Sequence, residues 1–427
     1  MVSEKHLLMA AWGISPRWGS EEAVGWNWLV NVPSGWSTTL LTGRRGDEQI
    51  QWGIDHGQRA PSLIAVEKPR GAWSLRPGRH PLASRLEMWL AYTTDLRLFS
   101  LHFQELLRSR RFDLIHQTTI ASWRCAMPFH SMGIPTVWGP IGGAEPFPWK
   151  YAFQTSFQNC LFEAGRLLTD NVARRRKAVI DAVKSVDVII VTNKQTETFL
   201  RSLGRSKPIL RRPMVISQER FTTIRCSAGI KDHHRLNIIS GGTVEGRKGF
   251  ALTIQAVSKL KQRGIPVQFV ITGRGVEIPK LRKLSIRCGV GDEVVFATHL
   301  DADNYIKQLN ASHIFCFPSL RDNSPVTLLE AMAAGCVPIV LDNGGPAGVV
   351  TPDCGVVLPL ETPVLTVARL EKVLSDLWNG KQTLASMARN SIVEVERNYL
   401  ESCISQTLAD AYALAAEVAK TKPPHKD

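Results

Sequence analysis

At 427 residues and 47.4 kDa the chain exceeds what one hydrophobic core usually supports, so two domains of about 200 residues are expected. With 44% apolar and 21% charged residues it is no disordered chain, and it has no run of about 18 apolar residues that would mark a membrane span. The net charge of +14 is uneven: residues 1–220 hold 29 basic and 18 acidic side chains, residues 221–427 hold 23 and 20, and eleven of the twelve tryptophans lie in the first half. Eight scattered cysteines without a C-x-x-C pair argue against a zinc site or a disulfide framework, and His6 to Ile14 is too short and too weakly cationic for a secretory signal. The expected location is cytoplasmic.

In chain order, short apolar runs alternate with amphipathic ones, the βαβα pattern of doubly wound parallel sheets. The first half predicts strands over Lys5–Ala11, Ser37–Thr42, Ser62–Val66, Leu114–His116, Thr136–Gly139 and Val186–Thr192. After the first of these, Gly19-Ser-Glu-Glu-Ala-Val-Gly-Trp opens a helix whose free N–H groups favour an anion. Leu82 to Leu107, with Met88, Trp89, Leu90, Tyr92 and Leu96, reads as a lipid-surface segment or a core helix. His116 ends its strand at the sheet edge where ligands sit. Val137-Trp-Gly-Pro-Ile-Gly-Gly-Ala-Glu145 reads as a Gly-rich turn facing a cleft. The basic clusters, Arg174 to Lys177 and the scattered Arg70, Arg76, Arg79 and Arg85, suit solvent, an anionic acceptor or an anionic membrane surface.

The second half predicts strands over Asn237–Gly241, Val267–Thr272, Val294–Ala297, Ile314–Pro318 and Val337–Leu341, which make a second sheet. The boundaries are a first domain over 1–212, a linker over 213–234, a second domain over 235–390, and C-terminal helices over 391–420 that return to the first domain. Ser240-Gly-Gly-Thr-Val-Glu-Gly-Arg-Lys-Gly-Phe is a Gly-rich turn carrying cations, a phosphate cradle without Walker A spacing. Asp301-Ala-Asp303 reads as a helix cap rather than a metal pair. Between the strands at 314 and 337, Ser324 caps a short helix with Pro325 first in it, Asp322 precedes it and Glu330 lies within it.

That last stretch, with Asp322 and Glu330 eight positions apart and Ala-Met-Ala-Ala-Gly following, resembles the E-x7-E region of family 4 glycosyltransferases. The loops at Gly19 and Gly142 resemble a subgroup with G-S-E-x-x-x-G-W and W-G-P-I-G-G motifs. The resemblance implies a GT-B fold, two Rossmann-like doubly wound α/β domains facing a cleft. It further implies a retaining hexosyltransferase-type enzyme, with a nucleotide-sugar as substrate, no cofactor and no metal. It assigns catalytic roles to His116, Asp322 and Lys248. Donor contacts fall to Gly19, Ser20, Thr243, Arg247, Gly273, Asn323, Ser324, Pro325 and Glu330, and acceptor-side positions to Gly142, Gly143 and Glu145. Two positions depart from the pattern: Asp322 stands where Glu is usual, and Thr243 where the family keeps an Arg, beside Arg247. The expected partners are a nucleotide-sugar donor and a glycan or lipid-linked acceptor in polysaccharide or glycoconjugate synthesis, with peripheral contact between the basic first half and the inner membrane face, and no nucleic acid. A nonenzymatic nucleotide- or glycan-binding relative and a nucleotide-sugar epimerase are the alternatives.

Overall fold

In the computed structural model, residues 4–17, 21–43, 45–58, 61–68, 97–126, 133–227, 231–232, 234–298 and 300–421 are described. Gly19, Ser20, the cations at 70, 76, 79 and 85, and most of the Leu82–Leu107 segment lie outside them. The described end of that segment, a helix over 97–109, buries Phe99, Phe103 and Leu106 in the core, so this part is a core helix and not a lipid contact.

The first sheet has seven parallel strands, β1 (Lys5–Ala11), β2 (Trp36–Thr42), β3 (Leu63–Glu67), β4 (Leu114–Thr119), β5 (Thr136–Ile141), β6 (Val188–Val191) and β7 (Ile209–Arg211), in the order 3-2-1-4-5-6-7. Its helices are α1 (Glu21–Val30), α2 (Gly46–Asp55), α3 (97–109), α4 (Phe157–Ala173), α5 (Lys177–Ser185) and α6 (Lys194–Ser202). Strands such as Val188-Ile-Ile-Val are apolar throughout because both faces are covered, and all four residues are buried.

The second sheet has six, β8 (Leu236–Gly241), β9 (Val267–Thr272), β10 (Val294–Ala297), β11 (Ile314–Phe317), β12 (Val337–Leu341) and β13 (Val356–Leu358), in the order 10-9-8-11-12-13. Around it lie α7 (Gln218–Cys226), α8 (Phe250–Gln262), α9 (Ile278–Arg287), α10 (Ala302–Ala311), α11 (Val326–Ala333), α12 (Pro363–Asn379) and α13 (Lys381–Asn398). Asp301 caps α10 by accepting from the Asn304 N–H at 2.8 Å. The predicted linker therefore contains a helix: Ser217 caps α7, and Phe221 and Ile224 bury into the second domain beside α11.

The chain returns at the end. The last helix, α14 (Ser402–Lys420), buries Ile404, Leu408, Ala411, Tyr412 and Ala415 in the first domain's core. The outgoing and returning segments meet where Ile216 N–H donates to Tyr399 O and Glu401 N–H to Ile216 O. Two adjacent crossovers tied by backbone hydrogen bonds form a narrow hinge between the domains.

Candidate functional site

In each sheet the strand order reverses at one place, and in open α/β sheets ligands bind outside the carboxyl ends of the strands at such a reversal. In the second sheet that place lies between β8 and β11. The loop after β8 carries Arg247 and Lys248; the loop after β11 carries Arg321 to Ser324 and leads into α11. Backbone bonds hold the two together: Leu320 N–H donates to Arg247 O at 2.7 Å, and Ser319 Oγ to the same oxygen at 3.2 Å. At the junction Gly249 adopts φ +74°, and a Cβ there would lie 2.0 Å from Pro318 O. Only glycine lets the loops approach this closely.

Across the reversal, Lys248 Nζ donates to Asp322 Oδ2, with Lys248 and Asp322 both buried. Nζ also sits 4.9 Å above the Phe317 ring. Burial pulls the Lys248 ammonium below its usual range, more than Asp322 raises it. For Arg247 burial acts in the same direction, but Asp322 and Glu245 outweigh it and the net shift is upward. The Arg247 guanidinium lies 2.7 Å from Glu245 Oε2 and 3.7 Å from Asp322 Oδ2, so one carboxylate is flanked by two cations. Thr243 is exposed on the same loop, and Gly273 closes against the backbone of Gly242.

Ser324 does not cap α11. The helix begins at Val326 with Pro325 as its N-cap, and Ser324 Oγ accepts from Met214 N–H at 2.8 Å, a residue of the crossover. The first-turn amides of α11 thus receive no side-chain cap, which leaves them available to a ligand anion. One turn further, Glu330 is held by Arg220 Nε at 2.8 Å. Arg220 escaped the sequence reading because it lies on α7, inside the segment taken for a linker; the Ser217 cap was the available signal.

A cavity of about 980 Å³ lies between the domains beside the hinge. Ser15, Arg17 and Asn27 line it from the first domain, Met214 to Arg220 from the crossover and α7, and Val326 and Glu330 from α11. Of the described candidates Glu330 alone reaches it. Lys248 and Asp322 flank a second contact where the domains touch. There Asn193 Nδ2 donates to Asn323 Oδ1 at 2.9 Å, Thr192 Oγ1 donates to the same oxygen, and Gly142 packs so closely that a Cβ would lie 2.0 Å from it. Glu145 is fully buried, and its Oε1 accepts from Asn193 Nδ2 at 2.6 Å and Gly143 N–H at 3.2 Å. The Gly143 carbonyl accepts from Arg124 at 2.9 Å and Arg166 at 3.0 Å. Arg321 reaches across the domains to Glu163 at 2.8 Å. The Gly142–Glu145 turn is therefore part of the domain contact.

His116 is placed elsewhere. It is fully buried, its ring nitrogens lie 3.0 Å from Tyr412 Oη and 2.8 Å from Gly139 O, and Trp28 packs edge-on against it. The ring points to the face covered by α14 rather than into the cleft, which removes it from the candidate catalytic set. Burial lowers its pKa from 6.5 to about 4, against a smaller upward pull from the Gly139 carbonyl. The folded state resists protonation, so His116 contributes stability that is full above about pH 6.5 and is lost as pH falls toward 4. The stability difference between the natural protein and His116→Gln, followed by denaturant melts from pH 7 to 4, should shrink by about 3 kcal/mol over that window. A difference independent of pH would show that the ring is not held neutral.

Residues 227–392 match the family described as Glycosyl transferases group 1, and this segment contains the Lys248, Asp322 and Glu330 constellation. The chain is 26% identical over 204 residues to an uncharacterized glycosyltransferase of Methanocaldococcus jannaschii, covering 48% of this chain and 51% of that one. It is 28% identical over 182 residues to a putative colanic acid biosynthesis glycosyltransferase of Escherichia coli, covering 41% and 44%. The chain thus spans about half the length of these relatives. Among solved structures it is similar to sucrose-phosphate synthase from Thermosynechococcus elongatus, at 16% identity and a TM-score of 0.61 over 96% of this chain and 98% of that one. The two Rossmann-like domains make the GT-B fold.

Proposed function

We propose that the chain is a glycosyltransferase that moves a sugar from a nucleotide-sugar donor to a glycan or lipid-linked saccharide with retention of configuration, without a metal. The observation that carries this reading is the buried Lys248–Asp322 pair across the strand-order reversal of the second sheet, one helical segment from Glu330. As the donor enters, its diphosphate takes Lys248 and Arg247, which frees Asp322 to accept hydroxyls of the sugar. Glu330 accepts ribose hydroxyls and gives up part of its bond to Arg220. The departing diphosphate carries the developing negative charge, and cations fixed in a water-poor crevice stabilise it more than they stabilise the bound donor. The Glu145–Asn193–Asn323 contact and the Arg321–Glu163 pair hold the domains closed over the donor and keep water from the reactive centre. A glycan acceptor in polysaccharide synthesis fits the basic, tryptophan-rich first half and is in keeping with the name of the Escherichia coli relative.

Binding of a nucleotide or glycan without turnover is the second reading. Thr243 favours it, because one cation of the family pattern is missing.

Thermal unfolding with UDP, GDP, ADP and their sugars, with and without EDTA, tests the donor site. At about 100 times its dissociation constant, the correct nucleotide adds roughly 2.7 kcal/mol of stability whether or not EDTA is present. Glu330→Ala should weaken that nucleotide about 10- to 100-fold, since a hydrogen bond to a charged group contributes about 1.5–3 kcal/mol. Absence of stabilisation by every nucleotide would remove the donor site from this crevice.

A further inference from the structure

Helix α4 is turned inside out. Its charged residues face inward: Glu163 is buried and pairs with Arg321 and Arg166, and Asp170 pairs with Arg124. Its outer face carries Phe157, Leu161, Leu168 and Val172, which are 79%, 50%, 68% and 62% exposed. These positions stand at i, i+4, i+11 and i+15, one stripe within an arc of about 60° at 100° per residue. Gly165 lies in the same stripe with open space before it, and Phe153, 98% exposed, extends the patch from the preceding turn.

A folding core explains none of this exposure, because the stripe points away from both domains. Single exposed apolar residues are ordinary, but five large ones on one surface mark a place where something apolar docks. The charge around the patch selects the partner. Among the described residues from 149 to 178, no exposed side chain is acidic, and the exposed charges are Lys150 and the run Arg174, Arg175, Arg176 and Lys177 that continues directly from the end of α4. Lys177 is partly engaged by Asp181 at 2.8 Å; the three arginines precede it on the surface.

We propose that the outer face of α4 lies on an anionic lipid bilayer, with Phe153, Phe157, Leu161, Leu168 and Val172 entering the headgroup boundary and Arg174, Arg175 and Arg176 on the lipid phosphates. An apolar stripe next to a polybasic run is the chemistry that binds a charged membrane interface. This surface is distinct from the basic patch in general: it is one helix, and its orientation is set by the inward pairs. The Arg321–Glu163 pair ties the same helix to the loop that carries Asp322, so docking fixes the cleft at a set height above the bilayer. The inference stands apart from the transferase reading, since vesicle binding needs no turnover.

Flotation of the full chain with phosphatidylcholine vesicles and with vesicles of phosphatidylcholine and phosphatidylglycerol at 7:3 provides the test. Binding should be confined to the anionic vesicles and weaken as salt rises. Phe157→Ser with Leu168→Ser should reduce partitioning at least tenfold, and Arg174→Glu, Arg175→Glu and Arg176→Glu together should reduce it on the order of a hundredfold, at about fivefold or more per cation. Both sets should unfold at the temperature of the natural protein, as the side chains are exposed. Failure of the natural protein to float with anionic vesicles overturns the proposal, as does flotation that both variant sets retain. Concentration-dependent dimers in light scattering that the Phe157 and Leu168 changes abolish, without vesicle binding, would assign the face to a second copy instead.

Discussion

Replacing Lys248 with Ala should lower kcat for sugar transfer by about 10²–10³-fold, the cost of losing one fixed donor at a site of developing charge. Two effects combine. The leaving diphosphate loses its buried cation, and Asp322 keeps only Arg247, whose guanidinium stands 3.7 Å away and is already shared with Glu245. A buried carboxylate that loses its main partner also destabilises the loop, so a reduced melting temperature is expected beside the kinetic loss. Lys248→Arg separates the two: charge is kept but a planar fork replaces the compact ammonium that sits 4.9 Å above the Phe317 ring, so folding should recover more than turnover. Steady-state kinetics on a folded Lys248→Ala protein with kcat within about threefold of the natural value would remove Lys248 from the chemistry.

Gly249→Ala should cost several kcal/mol of stability and abolish nucleotide-induced stabilisation. Its Cβ would lie 2.0 Å from Pro318 O and 2.8 Å from Pro318 C, so the two loops at the reversal must part, and the residue must also hold a left-handed conformation worth about 1–2 kcal/mol of strain. Parting the loops stretches the Leu320 N–H to Arg247 O bond and separates Lys248 from Asp322. The fold supplies its own control. Gly264 has the same φ of +74° but nothing within 4 Å of its Cβ position, so Gly264→Ala should lose only the backbone strain and keep nucleotide binding. Equal losses in the two variants, measured by denaturant unfolding, would mean that loop contact at Gly249 plays no part.

The central parallel strands were legible because they are buried on both faces and read as apolar runs; β1, β9 and β12 have the bounds expected from sequence, as does the edge strand β10, an apolar Val-Val-Phe-Ala run with Val295 exposed. The edge strands β7 and β13, three residues each and partly exposed, lack such runs. Helix α7 was hidden for a similar reason, since only Phe221 and Ile224 of its nine residues are buried. In the site, Lys248, Asp322 and Glu330 were singled out because the stretches that carry them resemble the family's motifs, and the fold brings Lys248 and Asp322 together. Partners brought from far along the chain were not: Met214 to Ser324, Arg220 to Glu330, and Tyr412 to His116, 296 residues apart. For His116 the pattern put it at the end of a strand, whereas β4 runs on to Thr119 and His116 lies inside it, and the pattern did not show which face α14 would cover. The reversed helix α4 could not be read at all, because its apolar spacing is that of an ordinary core-facing helix.

The most direct measurement of the central claim is release of nucleoside diphosphate from the nucleotide-sugar that stabilises the protein, followed with and without glycan acceptors and in the presence of EDTA, with the anomer of the product read by NMR. The account predicts EDTA-insensitive release, faster with acceptor and lost in Lys248→Ala, and a product with the donor's anomeric configuration. Binding with no release above buffer would contradict transfer and leave a nucleotide-binding protein, and conversion of the free donor to a stereoisomer would point to an epimerase.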